Sequence, residues 1–154
     1  MKRFVKLLIP FISLLLVGAA APPPQTESGL LTTYEEAPRF TEHEIEILAK
    51  MVWGEARGTS PDEQRLVVWT VFQRVDHPTQ YGGTIEAVVT ARNQFVGYRA
   101  RNPICPVIYA LCLEEAEKWA RGEEPPTIEL YAPTLPYLYF DGDGKNNWFR
   151  ATWR

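Results

Sequence analysis

The sequence has few of the residues that form metal sites and disulfide bonds, with two cysteines and two histidines among 154 residues. Cys105 and Cys112 flank or occupy one predicted helix, where a rise of 1.5 Å per residue places their Cα atoms about 10 Å apart. That separation exceeds the usual reach of a disulfide bond, so we expect two free thiols. His43 and His77 lie far away in sequence, and no cluster has zinc-ligand spacing. We therefore expect no metal site and no cofactor.

The chain also lacks an excess of basic residues, with 16 Lys and Arg against 19 Asp and Glu. Residues 1–20 hold three of the basic residues and none of the acidic ones, which leaves a net charge of −6 for the remainder. A domain this acidic is a poor candidate for nucleic-acid binding, which depends on basic side chains. An anionic polymer must instead be held by local contacts in a cleft.

Long apolar runs are missing as well, since the run from Leu7 to Val17 is shorter than the ~20 residues that span a bilayer. Basic residues precede this run and small residues follow it, so residues 1–20 are interpreted as a signal peptide, with an uncleaved membrane anchor as the alternative. Proline-rich residues 21–40 are predicted to be a linker. Residues 41–154 have the length of one compact domain. We expect a secreted or cell-wall protein, monomeric, that contacts membrane only through an uncleaved signal segment.

Residues 41–58 are the segment around which the rest of the domain is arranged. Thr41 followed by Glu44 is a capping box, which predicts a helix start. Gly58 is predicted to supply the left-handed residue that ends the helix. Gly54 costs about 1 kcal/mol in helix propensity, and we interpret it as allowing close approach of a ligand.

Glu55 is the candidate catalytic residue of this helix. Ile45, Leu48 and Val52 recur at helical spacing and form an apolar stripe, and three residues further the stripe reaches Glu55. Burial and the negative end of the helix dipole both favour the protonated carboxyl, which is the form a general acid needs. The alternative is a partly exposed glutamate that is paired with Arg57 or another cation.

The remaining chain predicts more helices, followed by strands. Ser60, Pro61 and Glu63 start a helix that ends near residue 75. Further helices are predicted over residues 85–91 and 106–121, and the charged residues at 114, 115, 117 and 118 are predicted to form a mostly solvated face. Aromatic segments at 128–132, 137–140 and 148–149 predict strands around a turn at 141–144, which we favour over a calcium loop. The predicted class is α+β, mostly helical, with a small C-terminal β-hairpin.

Polar and aromatic residues outside the helices are candidates for a sugar-binding cleft. Gln94 can offer an amide to a sugar hydroxyl or acetamido group. Phe95 is either a core residue at a helix exit or part of the cleft wall. Five tryptophans and seven tyrosines exceed what a small core needs, and aromatic faces stack against sugar rings.

Several segments resemble the SleB-type cell wall hydrolases, a family that contains spore cortex-lytic enzymes. They are the Leu48–Gly58 run that ends in Trp-Gly-Glu-Ala-Arg-Gly, the Val67–Val75 helix that ends in Gln-Arg-Val, the Gln94–Phe95 pair, the Ala116–Gly122 helix end, and Tyr139–Phe140 with Trp148. The resemblance implies a lysozyme-like domain of goose-type or lytic-transglycosylase-like architecture. Its activity would be cleavage of peptidoglycan between N-acetylmuramic acid and N-acetylglucosamine, with Glu55 as the catalytic acid. Substrate contacts are expected from Gln94, Phe95, Tyr139, Phe140 and Trp148.

The number of carboxylates in the cleft decides between mechanisms. Most glycosidases use two, and the sequence offers one well-placed candidate, which favours a lytic transglycosylase. A second carboxylate from Glu63, Asp141 or Asp143 would favour a hydrolytic muramidase instead. The rivals from other classes are a non-catalytic peptidoglycan-binding module and a domain that uses exposed aromatics for a protein partner.

Overall fold

The computed structural model describes residues 38–143 and 145–152, so the predicted signal segment and nearly all of the predicted linker lie outside the described residues. Five helical segments come first: α1 (Glu42–Ala56), α2 (Pro61–Val75), α3 (Pro78–Tyr81), α4 (Ile85–Thr90) and α5 (Pro106–Ala120). Two strands follow, β1 (Tyr139–Gly142) and β2 (Asn147–Arg150). About half of the described residues are helical, which confirms the α+β class. Within these ranges no helix has the length and apolar character needed to cross a membrane.

Both long N-terminal helices begin with the predicted capping boxes. The Thr41 hydroxyl accepts from the backbone N–H of Glu44, and the Glu44 carboxylate accepts from the backbone N–H of Thr41. Ser60 and Glu63 form the same reciprocal pair at the start of α2. These contacts satisfy N–H groups that have no partner within the helix, so local sequence determines where α1 and α2 begin.

The end of α1 differs from the prediction at Gly58. The helix ends at Ala56, the cap residue Arg57 has right-handed helical angles, and Gly58 is not among the glycines with positive φ. The carbonyl of Ala56 instead accepts from the Thr59 hydroxyl at 3.0 Å and from Gln64 Nε2 at 3.1 Å. Because side chains satisfy this carbonyl, the helix needs no left-handed glycine to end.

Helix α1 is central and packs on α2, α4 and α5. The predicted stripe residues Ile45, Leu48 and Val52 are fully buried, as expected for its core-facing side. Between α2 and α5, the rings of Phe72 and Trp119 stack with centroids 4.6 Å apart. Glu55, in the last turn of α1, therefore lies on the same side of the helix as these buried residues.

The acidic run of α5 was predicted to be a mostly solvated face, and this is wrong for Glu115, which is 2% exposed. The carboxylate of Glu115 accepts from Trp69 Nε1 at 2.7 Å and from the side chains of Arg65 and Lys118 at 3.2 and 2.8 Å. A buried indole N–H needs an acceptor, and Glu115 provides it. The helical spacing from Leu111 and Cys112 already places position 115 on the buried stripe.

The two cysteines are free, as predicted. Cys105 is the N-cap residue of α5, and Cys112 is buried in the same helix. Burial raises the pKa of the Cys112 thiol far above its ordinary value, so this residue packs as a small apolar side chain.

The C-terminal part contains the predicted hairpin but not the predicted strand at 128–132. The turn predicted at 141–144 is shifted, because Asp141 and Gly142 belong to β1. Strands β1 and β2 pair antiparallel, with Phe140 opposite Phe149. Residues 128–132 form a tight turn that is closed by an isolated bridge between Ile128 and Ala132. The backbone N–H of Phe149 donates to the carbonyl of Tyr131 at 2.8 Å, so this turn is attached to the hairpin without forming a strand.

Candidate functional site

Glu55 lies at the last turn of α1, half-buried, with its carboxylate in contact with a loop. Its Oε1 accepts a hydrogen bond from the backbone N–H of Gly97, at a distance of 2.5 Å. The alternative ion pair with Arg57 does not form. Arg57 instead donates to the carbonyl of Trp53 and lies over that indole ring. The carboxyl of Glu55 is therefore held by a backbone dipole, with no cation bonded to it among the described residues.

The glycine at position 54 lets the chain's own loop come close, which corrects the prediction that it admits a ligand. A Cβ atom at Gly54 would lie 1.9 Å from the carbonyl oxygen of Gly97. A Cβ atom at Gly97 would lie 2.5 Å from the Gly54 backbone and 2.9 Å from the backbone nitrogen of Glu55. Asn102 Nδ2 stabilises this contact between α1 and the loop, because it donates to the carbonyls of Lys50 in the helix and Gly97 in the loop at 3.0 and 2.9 Å. Two glycines are needed because the two backbones touch.

The environment of Glu55 raises the pKa of its carboxyl above the ordinary value. Desolvation by burial is the main cause, because removing water disfavours the charged form. The hydrogen bond from Gly97 and the charge of Arg99 act in the opposite direction and only partly offset it. The direction agrees with the sequence prediction of a carboxyl that retains its proton.

A cavity of about 410 Å³ opens beside Glu55. Its lining comprises Glu55, Arg74, Asn93, Gln94, Val96, Tyr139 and Phe140. The structure thus brings together Glu55, Gln94, Tyr139 and Phe140 of the predicted site residues. Asn93 has a φ of 63°, a left-handed conformation that asparagine tolerates, and it lies within the 91–94 turn that carries Gln94 to the cavity.

Two predicted substrate-binding residues do not line this cavity within the described part of the chain. Phe95 is 6% exposed and packs in the core, where its ring lies 6.2 Å from that of Phe140. This is the core role that the sequence left open, and it makes Phe95 a support for the wall. Trp148 is 40% exposed on β2, opposite Asp141 in the hairpin register.

A second concave region of about 260 Å³ also meets Glu55, and its other lining residues are Gly54, Arg57 and Gly58. A third, of about 330 Å³, shares Asn93 and Val96 with the main cavity. Glu55 is the residue that the linings of the first and second regions share.

Arg74 is one of several lining residues that the sequence did not predict. It lies near the C-terminal end of α2, is 4% exposed, and lines the main cavity. Its Nε donates to the carbonyl of Leu138 at 2.8 Å and its Nη1 donates to Gln94 Oε1 at 3.0 Å. Helical spacing from Val67 and Val71 places position 74 on the apolar face of α2, and that was the available signal.

Two tyrosines complete the wall around this arginine. The Tyr81 hydroxyl, at the end of the unpredicted single-turn helix α3, donates to the Tyr139 hydroxyl at 2.5 Å. Burial, followed by this hydrogen bond, raises the pKa of Tyr81 to about 12. Tyr81 therefore stays neutral at physiological pH and orients the ring of Tyr139, which lines the cavity.

The other candidate carboxylates are engaged away from the cavity lining. Glu63 is 2% exposed and accepts from the backbone N–H of Asn147 at 2.7 Å in addition to its capping bonds. Asp141 pairs with Arg150 at 2.5 Å, and Asp143 accepts from backbone N–H groups of the hairpin loop. Among described residues, Glu55 is the one carboxyl group that lines either region next to it. No group of three or more His, Cys, Asp or Glu side chains in the described ranges is placed to hold a metal ion.

Comparison of the chain with protein-family models, with curated proteins and with solved structures finds no match. Any functional conclusion must therefore come from the residues and geometry of the site.

Proposed function

We propose that this protein cleaves peptidoglycan glycan strands between N-acetylmuramic acid and N-acetylglucosamine, as a lytic transglycosylase with a lysozyme-like fold. The observation that supports this most is the half-buried carboxyl of Glu55, with its raised pKa, which is the one carboxyl among the described residues at the border of these two concave regions. The resemblance of Trp53–Gly58 to the SleB-type hydrolases points to the same residue. The proposed setting is the cell wall, outside the cytoplasm, with the protein acting as a monomer.

The proposed chemistry requires one carboxyl group that acts twice. Gly97 occupies Oε1, which leaves Oε2 of Glu55 to carry the proton. Glu55 gives this proton to the bridging oxygen as its bond to C1 of muramic acid breaks. The carboxylate then takes the proton of the muramic acid 6-hydroxyl as that oxygen bonds to C1. The acid is regenerated, no water is consumed, and the product is a 1,6-anhydro sugar.

The walls of the cavity supply contacts that suit a sugar chain. Tyr139 and Phe140 present aromatic rings, which stack on the apolar faces of pyranose rings. Gln94 Oε1 accepts from Arg74, so the amide nitrogen of Gln94 remains available to a sugar oxygen. Glu55 is the one carboxyl among the described residues that line the cavity, which favours an internal hydroxyl nucleophile over an activated water.

Lysis of purified sacculi by wild type and by Glu55→Gln tests this proposal. Wild type should clear the suspension, and the variant should lose about 10²- to 10⁴-fold in rate while still sedimenting with the sacculi. Glu42→Gln is the matched control, since Glu42 is an exposed glutamate in the first turn of the same helix. Retention on sacculi without lysis by wild type would indicate a binding module, and neither retention nor lysis would indicate a protein-interaction domain.

A further inference from the structure

Arg74 is a nearly fully buried cation that has no carboxylate partner. It forms no ion pair among the described residues, whereas Arg39, Arg65, Arg121 and Arg150 each pair with an acidic side chain. Those four are more exposed than Arg74. Buried charges in proteins are normally paired, because removing an ion from water without an opposite charge is unfavourable.

The local contacts of Arg74 hold the guanidinium in place but leave donors unused. Its centre lies 5.2 Å from the ring centroid of Tyr81, 4.8 Å from that of Phe95 and 5.6 Å from that of Tyr139. These rings stabilise the positive charge through their faces. A guanidinium has five N–H donors, and two of them bond to Leu138 and Gln94. The other three donors have no acceptor among the described residues, on a side chain that lines the Glu55 cavity.

The geometry points to Arg74 as the residue that binds a carboxylate of the glycan substrate beside the bond that Glu55 cleaves. A planar fork of donors matches the two oxygens of a carboxylate, and the buried setting strengthens the contact. This inference rests on the proposed function and adds the chemical group that the site recognises. It also explains how a chain with 19 acidic residues against 16 basic ones holds an anionic polymer through one local contact.

The carboxylate has two sources in the wall polymer. In strands without stem peptides it is the free lactyl carboxylate of muramic acid, and in peptide-bearing strands it belongs to the peptide. Three substrates separate these sources: stripped strands, the same stripped strands with each lactyl carboxylate converted to a methylamide, and intact peptide-bearing strands. The readout is kcat/KM on each substrate.

For wild type, kcat/KM on the carboxylate substrate that it recognises, stripped or peptide-bearing, should exceed kcat/KM on the methylamide by about tenfold or more. One or two charge-assisted hydrogen bonds have an effect of this size. Arg74→Gln should bring this ratio close to one. Arg74→Lys should retain part of the preference, because it keeps the charge but loses the fork. Arg121→Gln is the matched control and should retain the full preference, since Arg121 lies at the exposed end of α5. If wild type cuts stripped strands faster, the lactyl group is the source; if it cuts peptide-bearing strands faster, the peptide is.

A purely structural role for Arg74 predicts a different result. In that case Arg74→Gln would slow cleavage of every substrate equally and leave the ratio unchanged, which would overturn the inference. A wild-type ratio of one would overturn it as well. Thermal melts of both Arg74 variants measure any loss of folded protein separately from the ratio.

Binding to a Glu55→Gln background separates this inference from the proposed function. The probes are the stripped disaccharide with a free lactyl carboxylate, its methylamide and the peptide-bearing disaccharide, titrated by calorimetry. Tighter binding of either carboxylate form than of the methylamide, lost when Arg74→Gln is added, supports the inference even if wild type cleaves nothing. Equal binding of all three probes, or binding of none, contradicts it whatever the lysis assay shows.

Discussion

The backbone N–H of Gly97 donates to Oε1 of Glu55 across 2.5 Å, and this contact joins the loop after α4 to the last turn of α1. It fixes one carboxylate oxygen, and Glu55 keeps a raised pKa in spite of it. The contact exists because Gly54 lets the Gly97 backbone reach the helix. A pair of glycines thereby positions the proposed acid.

Substituting Gly54 with alanine should separate the loop from the helix. The new Cβ would lie 1.9 Å from the Gly97 oxygen, so the backbone must shift, and we expect a loss of about 1–3 kcal/mol in the free energy of unfolding. The rate of lysis should fall as well, because Glu55 loses the hydrogen bond from the Gly97 backbone N–H. Denaturant unfolding of Gly54→Ala measures the change.

Gly58→Ala is the matched stability control for that variant. No atom lies within 4 Å of a Cβ at Gly58, and its φ is not positive. Its stability should stay the same or rise by about 0.4–1 kcal/mol, because alanine restricts the unfolded chain. Equal destabilisation by both substitutions would contradict the close-approach role of Gly54.

The rate of lysis should fall as pH rises through the raised pKa of Glu55, because the reaction needs the protonated carboxyl. The charge of Arg99 lowers that pKa, so Arg99→Gln should move the alkaline side of the profile to higher pH. Arg99→Lys retains the charge and should leave the profile in place. A profile that is identical in wild type and Arg99→Gln would show that Glu55 does not set it.

The stability of the protein should depend on pH through Glu55 in a defined direction. Below the ordinary glutamate pKa, the carboxyl is neutral in both folded and unfolded chains, and Glu55→Gln should match wild type. As pH rises through the raised folded pKa, wild type loses stability, because the unfolded chain ionises more readily. The melting temperature of Glu55→Gln minus that of wild type should therefore increase from pH 4 to pH 8. A difference that decreases over this range would contradict the raised pKa.

Glu115→Ala should destabilise the domain by about 3–5 kcal/mol, because it leaves the Trp69 N–H and nearby cations without their buried acceptor. Glu114→Ala, on the exposed side of the same helix turn, should stay within about 0.5 kcal/mol. Urea denaturation of the two variants makes the comparison. A similar decrease in the free energy of unfolding for both variants would show that Glu115 is not a buried structural acceptor.

The parts of the fold that follow from short-range sequence signals were predictable. The capping boxes at Thr41 and Ser60 use residues three positions apart, and the stripe that leads to Glu55 lies within one helix. Arg74 and Gly97 were missed because their roles depend on partners 20 and 42 positions away. Residues 128–132 have the composition of a strand but form a turn, whose Tyr131 carbonyl accepts from the backbone N–H of Phe149, a contact that no local pattern reveals.

The mass of the muropeptides that purified protein releases from sacculi tests the central proposal most directly. A lytic transglycosylase with Glu55 as its acid and base should release anhydromuramic products, lighter by one water than hydrolysis products, and Glu55→Gln should release almost none. Release of reducing-end products that contain the added water, or unchanged release by Glu55→Gln, would contradict the account.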